Sequence, residues 1–190
     1  MEALKQRILQ EGKNLGRGIL KIDSFLNHQL DAQLLEEVGA EMARRFADAA
    51  PTRILTAEVS GIIPAVMTAK ALNNIPVVYA RKHKPITMQE PVYIETAPSH
   101  TKGGEVLLMV SPEFLHAEDR VLIVDDFLAT GKTINALARI VQNSGATLVG
   151  IAAVVEKIFE GGREELLHWG VPIEATAVIT DMKKGKIKVA

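Results

Sequence analysis

The sequence contains no cysteine in its 190 residues. This absence excludes disulfide bonds, zinc sites built on thiolates and a catalytic thiol, and it fits a reducing compartment. An excess of charge of one sign is also lacking, because 22 Lys and Arg residues are balanced by 23 Asp and Glu residues to a formal net charge of −1. Without a basic surface field we expect no nucleic-acid partner, and any anionic ligand must be held by local groups.

Long hydrophobic runs are absent as well. The longest nearly apolar stretch, residues 146–155, is interrupted by Thr147 and Gly150 and has about half the length that a membrane-spanning helix needs. It is typical of a buried strand. Residues 1–16 lack the basic start, apolar middle and small-residue cleavage site of a secretory signal. We therefore expect a cytoplasmic protein with no membrane partner.

The apolar residues that are present alternate between helical and extended spacing along the chain. A hydrophobic content of 47% in 190 residues predicts one globular domain. Helical spacing begins at Leu35 and continues to Ala49. The predicted strands span residues 53–57, 76–80, 121–124 and 147–155, and further predicted helices span residues 62–72 and 132–143. Continuous apolar strands between helices predict a parallel sheet covered on both faces, with ligands bound beyond the carboxyl ends of its strands.

Residues 81–119 break this alternation. They contain Pro85, Pro91 and Pro98 and show only weak strand signals near Tyr93 and at residues 106–110. A segment of this length with little helix of its own predicts a functional loop, a hairpin or a lid. The candidate lid runs from residue 92 to residue 110 and contains Ser99, Thr101, Lys102 and Glu105.

Residues 121–133 carry the most specific pattern in the chain. Four apolar residues lead into Asp125 and Asp126, and a short polar loop then opens the helix predicted from residue 132. Backbone N–H groups at a helix N-terminus, together with the positive end of the helix dipole, favour a bound phosphate. Gly131 allows close approach of the phosphate, and the hydroxyls of Thr130 and Thr133 supply further donors.

A nucleotide-binding P-loop is the first alternative, because Gly131-Lys132-Thr133 matches the end of its consensus sequence. The spacing excludes it. The first glycine of that consensus would fall at Asp126, where a carboxylate would repel the phosphates. Two adjacent acids suit a ligand with hydroxyls, or a bound Mg²⁺, beside its phosphate. This pattern predicts a sugar phosphate.

The same residues resemble the phosphoribosyl diphosphate signature of the type I phosphoribosyltransferases. Residues 20–29, 80–84 and 155–157 extend the resemblance over most of the chain. It implies a single domain over residues 1–190 with an α/β type I phosphoribosyltransferase fold, in which helices flank a central, mostly parallel sheet. It also implies a small hood from about residues 1–35 and 156–190 and a mobile loop at about residues 85–110.

The resemblance further implies an activity in purine salvage. A 5-phosphoribosyl group would pass from 5-phospho-α-D-ribose 1-diphosphate to a purine, and the quoted blocks are most similar to members that act on xanthine. Mg²⁺ would be bound mainly through the diphosphate and the ribose hydroxyls rather than by a dedicated set of side chains. Members of this family are usually homodimers, and in many of them a basic side chain serves the site of the partner subunit.

Site residues follow from the same resemblance. Asp125 and Asp126 match the catalytic acids that hold the ribose hydroxyls. Binding of the phosphoribosyl diphosphate is assigned to residues that the resemblance implies or whose positive charge suits it. They are Ser60, Gly61, Arg81, Lys82, Lys84, Ala129, Thr130, Gly131, Lys132 and Thr133. The residues implied for xanthine are Leu20, Asn27 and Lys157.

Two alternatives stay open at this point. Guanine or hypoxanthine is an alternative substrate. Adenine should be rejected, because it presents an amino donor where the ammonium of Lys157 would also donate a hydrogen bond. The other alternative is a non-catalytic regulator that senses phosphoribosyl diphosphate. Such regulators carry an N-terminal DNA-binding domain, and the roughly twenty residues before the matching blocks are too few for a helix-turn-helix.

Overall fold

A computed structural model describes residues 1–98 and 104–190. The α-helices of the described residues are α1 (Glu2–Glu11), α2 (Ala32–Phe46), α3 (Ile62–Ala71), α4 (Lys132–Ser144) and α5 (Gly162–Leu166). The strands are β1 (Lys13–Asn14), β2 (Leu20–Lys21), β3 (Arg53–Ala57), β4 (Val77–Ala80), β5 (Tyr93–Pro98), β6 (Glu105–Val110), β7 (Arg120–Leu128), β8 (Thr147–Lys157), β9 (Ile173–Asp181) and β10 (Lys188–Val189). A π-helical turn spans Asp23–Asn27, and 3₁₀ turns span Ala47–Ala49, Pro112–Phe114, Ile158–Glu160, Leu167–Trp169 and Lys183–Gly185.

The central sheet has six strands in the order β10-β9-β8-β7-β3-β4. All neighbours pair in parallel except β10, which runs antiparallel to β9 at one edge. Helices lie on both faces of this sheet, as the alternating sequence predicts. The carboxyl ends of β3, β4, β7, β8 and β9 therefore meet at one edge of the sheet.

The core has two layers, one on each face of the sheet. Successive side chains of a strand point to opposite faces. Leu122 and Val124 of β7 accordingly pack in the layer beneath α2 and α3, while Val121 and Ile123 pack in the layer beneath α4. All four side chains are fully buried, which explains why β7 reads as a continuous apolar run.

Two helix boundaries follow directly from local sequence. Asp31 precedes α2, and its carboxylate accepts a hydrogen bond from the N–H of Leu34 at 3.1 Å. At its other end α4 stops at Gly145, which has a left-handed backbone at φ +77°. The predicted helix over residues 132–143 is thus confirmed within one residue.

Two strands are longer than the sequence predicts. The apolar runs predict that β7 stops at residue 124 and β8 at residue 155, but the strands continue to Leu128 and Lys157. Residues 125–128 of β7 remain paired with β8, with Asp125 opposite Ala153. Backbone pairing to a neighbouring strand thus overrides the low strand propensity of aspartate, and both acids lie within the sheet.

The hood that the resemblance implies takes its C-terminal part from about residues 156–190. Strand β9 instead lies in the central sheet beside β8, and its inward-facing residues include the buried Ala177 and Ile179. Every second residue of β9 is apolar, and burial of that face determines the position of β9 in the sheet. The N-terminal part, with the β1–β2 hairpin and the Asp23–Asn27 turn, does cover the carboxyl edge of the sheet.

The segment predicted as a loop or lid forms an antiparallel hairpin of β5 and β6. Arg139 of α4 holds it through a 2.7 Å bond to the carboxylate of Glu95. Glu105 is the exposed first residue of β6. Ser99, Thr101 and Lys102 lie outside the described residues, so the proposed lid remains a prediction. Across residues 1–98 and 104–190, no helix is long and apolar enough to cross a membrane.

Candidate active site

One cleft of about 620 Å³ opens at the carboxyl ends of β3, β7 and β8. The predicted site residues that line it are Leu20, Asn27, Ser60, Lys82, Asp125, Asp126, Ala129, Thr130, Gly131, Lys132, Thr133 and Lys157. They come from the hood, from the ends of the four strands β3, β4, β7 and β8, and from the start of α4. The fold therefore brings together residues that the sequence separates by more than a hundred positions.

The two acids are held by the backbone of β7. The carboxylate of Asp125 accepts the N–H of Asp126 at 3.0 Å, and that of Asp126 accepts the N–H of Phe127 at 3.0 Å. Asp125 is only 7% exposed. Burial, followed by repulsion from Asp126, raises the pKa of Asp125 well above its ordinary value. Such a buried carboxylate interacts strongly with a cationic group that enters the cleft.

Asp126 also connects the sheet to the hood. Its second carboxylate oxygen accepts a hydrogen bond from the side-chain amide of Asn27 at 2.9 Å. The resemblance assigns Asp126 to the ribose and Asn27 to the base, and the structure places these two side chains in direct contact. The positions that the resemblance assigns to the ribose and to the base are therefore adjacent.

The loop from residue 129 to residue 133 leads directly into α4. Gly131 is the residue before the helix and has a left-handed backbone at φ +75°. The hydroxyl oxygen of Thr130 is buried and has no hydrogen-bond partner among the described residues. A buried hydroxyl without a partner calls for a ligand or water acceptor, and here it stands beside the unpaired N–H groups of a helix N-terminus. This arrangement can bind a phosphate.

The loop after β3 contributes in two different ways. Ser60 is exposed and lines the cleft. Gly61 does not line it, but a Cβ atom at Gly61 would lie 2.7 Å from the carboxylate of Asp125 and 2.3 Å from the hydroxyl of Thr56. The lack of a side chain at Gly61 thus leaves the room in which Asp125 sits.

Of the three basic residues predicted in the segment 81–84, only Lys82 reaches the cleft. The Nε atom of Arg81 lies 2.9 Å from the carboxylate of Glu58, and its guanidinium stacks over the ring of Tyr79. Arg81 lines a separate cavity of about 290 Å³ along the β4 edge. Lys84 forms an ion pair with Glu90. Arg81 and Lys84 are therefore not in the cleft of their own chain.

Lys157, which the resemblance assigns to the base, lines the cleft as the last residue of β8. Its ammonium donates a hydrogen bond to the carbonyl oxygen of Gly18 at 2.9 Å and forms an ion pair with Glu160. It also lies 5.8 Å above the ring of Phe127. An ammonium has three donors, so two of them bind the protein and a third is suited to a ligand oxygen.

The set that the sequence predicts lacks eight residues that line the cleft, namely Arg17, Gly18, Ile19, Ala57, Glu58, Phe127, Ile134 and Glu160. The side chains of Glu58, Phe127 and Glu160 contact predicted site residues. Glu58 accepts the backbone N–H of Lys82 at 2.6 Å and so positions that residue. Phe127 and Glu160 surround the ammonium of Lys157. The three-residue spacing of Lys157 and Glu160 is a pairing signal on a helical turn, but the sequence does not predict the turn itself. Neither Glu58 nor Phe127 has a comparable signal in the sequence.

Together, the parallel sheet, the adjacent acids and the loop before α4 define an α/β domain with a cleft suited to a sugar phosphate. Residues 21–176 match the family model described as "Phosphoribosyl transferase domain". That match covers well over half of the chain, and the chain belongs to the phosphoribosyltransferase family.

Relatives of this chain over nearly its whole length are named xanthine phosphoribosyltransferase. One from Deinococcus deserti is 50% identical and matches over 97% of this chain and 95% of its own. One from Pseudomonas putida is 46% identical, with 98% of both chains covered. Another from Moorella thermoacetica is 45% identical over 99% of this chain and 95% of its own.

Solved structures support the fold. Adenine phosphoribosyltransferase from Rhodothermus marinus superposes with a TM-score of 0.74 at 27% identity, covering 94% of this chain and 97% of that one. The Giardia lamblia enzyme, solved with 9-deazaadenine, superposes with a TM-score of 0.76 at 19% identity, covering 94% and 98%. The fold is that of the type I phosphoribosyltransferases, as the resemblance implied.

Proposed function

We propose that this chain transfers the 5-phosphoribosyl group of 5-phospho-α-D-ribose 1-diphosphate to xanthine. The products are xanthosine 5′-phosphate and diphosphate, and the reaction belongs to purine salvage. The names of relatives at 45–50% identity support this reaction. The observation that carries it is one cleft lined by the acids, the phosphate-binding loop and Lys157.

The acids suit the chemistry at the ribose. Positive charge builds on the sugar ring as diphosphate departs, so the protein has to position the reactants and stabilise that charge. Asp125 and Asp126 supply negative charge and accept hydrogen bonds from the ribose hydroxyls. Burial makes the carboxylate of Asp125 especially effective, because little water competes with the cation. No covalent nucleophile is required.

The 5-phosphate is assigned to the loop before α4. The backbone N–H groups of residues 129–133 and the hydroxyl of Thr130 act as donors, and the helix dipole favours the negative charge. Lys132 and Thr133 stand at the rim of this loop. Ser60 and Lys82, which also line the cleft, are assigned to the diphosphate.

The base is assigned to the end of the cleft around Lys157. Its ammonium donates to an exocyclic oxygen and favours the anionic form of xanthine, which loses a proton near neutral pH. Leu20 supplies an apolar wall, and Asn27 offers an amide to the edge of the base. Adenine would bring an amino group against this donor and is disfavoured. Guanine and hypoxanthine share one oxygen with xanthine and are the alternative substrates.

Magnesium is part of the proposal. Among residues 1–98 and 104–190, no group of three or more His, Asp or Glu side chains is arranged to hold a metal ion. This fits an ion held mainly by the diphosphate and the ribose hydroxyls, near Asp125 and Asp126, because Mg²⁺ commonly keeps its waters and binds through substrate phosphates. When bound, the ion neutralises the charge of the departing diphosphate.

A homodimer in the cytoplasm completes the proposal. Arg81 and Lys84 do not line the cleft of their own chain, and a role at the site of a second copy would account for them. The β4 edge beside them exposes Tyr79, Ile86 and Phe114, which suits contact with another chain. Light scattering on the purified protein measures the mass of the assembly, and a monomer would contradict this part.

The reaction itself is tested by product formation. Purified protein is mixed with 5-phospho-α-D-ribose 1-diphosphate and Mg²⁺, and xanthine, guanine, hypoxanthine and adenine are offered separately at neutral pH. We expect the highest kcat/KM with xanthine and none with adenine. Preference for another oxopurine would overturn the assignment of the base pocket. Tight binding of the sugar diphosphate without any product would favour the regulator.

A further inference from the structure

The phosphate-binding loop rests directly on the backbone of Gly162, the first residue of α5. A Cβ atom at Gly162 would lie 2.3 Å from the carbonyl oxygen of Ala129 and 2.7 Å from the nitrogen of Gly131. In the reverse direction, a Cβ atom at Gly131 would lie 2.7 Å from the carbonyl oxygen of Gly162. Such distances are shorter than real Cβ contacts, so the two backbones touch with no side chain between them.

The segment that carries Gly162 is firmly anchored. Arg163 forms two hydrogen bonds to the carboxylate of Glu156, at 2.8 and 2.5 Å, and a third to the carbonyl oxygen of Ile173 at 2.8 Å. Glu156 is 1% exposed, and Leu166 is fully buried. Because a buried carboxylate with a bidentate Arg partner is costly to separate, Gly162 has little freedom to move away from the loop.

A second anchor joins the same segment to the helix that follows the loop. The indole N–H of Trp169 donates to the side-chain oxygen of Asn135 at 2.8 Å. Asn135 lies in the first turn of α4, and its backbone N–H donates to the carbonyl oxygen of Gly131 at 2.8 Å. The loop is thus held between Gly162 below and the start of α4 beside it.

We propose that Gly162 is a positioning residue for the sugar phosphate. It supports the backbone of Ala129 and Gly131 in the conformation that presents their N–H groups to the 5-phosphate. This inference rests on the proposed function, in which that loop binds the 5-phosphate. Gly162 does not line the cleft, so it acts through the loop and makes no contact of its own with the ligand.

The chain offers a matched pair of variants at neighbouring glycines. Gly161 has φ +74°, and a Cβ atom added there would have no neighbour within 4 Å, so Gly161→Ala strains the backbone without touching the loop. Gly162 has no left-handed backbone and begins a helix, where alanine is normally the better residue. If only local backbone structure matters, Gly161→Ala is the more damaging of the two substitutions. If contact with the loop matters, Gly162→Ala is the more damaging one for ligand binding.

The test measures binding of ribose 5-phosphate by calorimetry, together with KM for each substrate and the melting temperature. For Gly162→Ala we expect binding of ribose 5-phosphate and KM for the sugar diphosphate to worsen on the order of tenfold, as after loss of one or two good hydrogen bonds. KM for the base should stay within about twofold of wild type. Gly161→Ala should bind like wild type even if it melts earlier. Unchanged binding by Gly162→Ala, or an equal rise in both KM values, would overturn the proposal.

A milder variant covers the case in which Gly162→Ala does not fold. Trp169→Phe keeps an aromatic ring but removes the hydrogen bond to Asn135. We expect it to weaken ribose 5-phosphate binding about threefold, with KM for the base unchanged. Wild-type affinity in this variant would then refute the positioning role. Failure of the wild-type protein to bind ribose 5-phosphate would instead refute the proposed function.

Discussion

Replacement of Asp125 by asparagine should make the protein more stable and nearly inactive. The carboxylate is 7% exposed and stands beside Asp126, so its ionised form is desolvated and repelled. Asparagine removes this charge. Its oxygen can still accept the N–H of Asp126, and its amide can donate to the neighbouring carboxylate.

The magnitude follows from the cost of a buried, poorly compensated polar group, which is about 1–3 kcal/mol. For a chain of this length, that free energy raises the melting temperature by roughly 2–10 °C. Activity should fall on the order of 100-fold or more in kcat, because a carboxylate that stabilises the charged sugar ring is lost.

The effect on stability should depend on pH. Protonated Asp125 is favoured in the folded chain, so its contribution to the free energy of unfolding is greatest below its ordinary pKa of 3.8. This contribution is lost as the pH rises through the raised pKa of the folded state. The advantage of Asp125→Asn over wild type should therefore grow with pH across this window and then level off.

Asp119 provides a matched control at the opposite end of β7. Burial opposes ionisation of Asp119, but hydrogen bonds from His116 and Arg53 outweigh it and lower the pKa of this carboxyl. Asp119→Asn should thus destabilise the fold by about 1–3 kcal/mol and leave kcat unchanged. Thermal melts over a pH series and steady-state kinetics measure both variants. A lower melting temperature for Asp125→Asn at neutral pH, or unchanged turnover, would refute this reasoning.

Three further predictions concern the base, the 5-phosphate and the metal. Lys157→Met should raise KM for xanthine about 10- to 100-fold through loss of a charged donor, with KM for the sugar diphosphate nearly unchanged; equal effects on both would argue against a base contact. Thr130→Val should weaken ribose 5-phosphate binding several-fold. It should not lower the melting temperature, because the buried hydroxyl of Thr130 has no partner among the described residues. A lower melting temperature would show that the fold itself needs this hydroxyl. A chelator should abolish turnover and leave the melting temperature unchanged, since no described cluster of acids holds a metal; full activity in chelator would remove magnesium from the proposal.

The connection between β8 and α5 is a feature of the site that no single motif records. Within six residues it provides Lys157 and Glu160 at the base end and Gly162 beneath the phosphate-binding loop. The proposed base pocket and the proposed phosphate pocket are therefore built partly on one short segment. Variants in this segment are expected to affect either substrate according to which side they face.

Local sequence is sufficient for the parts of the site that are contiguous. Residues 121–133 predict a buried strand, two acids and an anion-binding helix start, because a helix N-terminus presents its donors wherever the chain places it. The alternation of apolar runs likewise predicts a parallel sheet covered on both faces, since both depend only on the order of residues along the chain.

Tertiary structure decides everything that depends on which distant residues meet. The contact of Asn27 with Asp126, the bond of Lys157 to Gly18 and the turning of Arg81 toward Glu58 have no signal in their local sequences. The support of the loop by Gly162 is of the same kind, because a missing Cβ atom has meaning only when the neighbour it would strike is known. Sequence periodicity determines which face of an element is buried, but only packing determines what lies against that face.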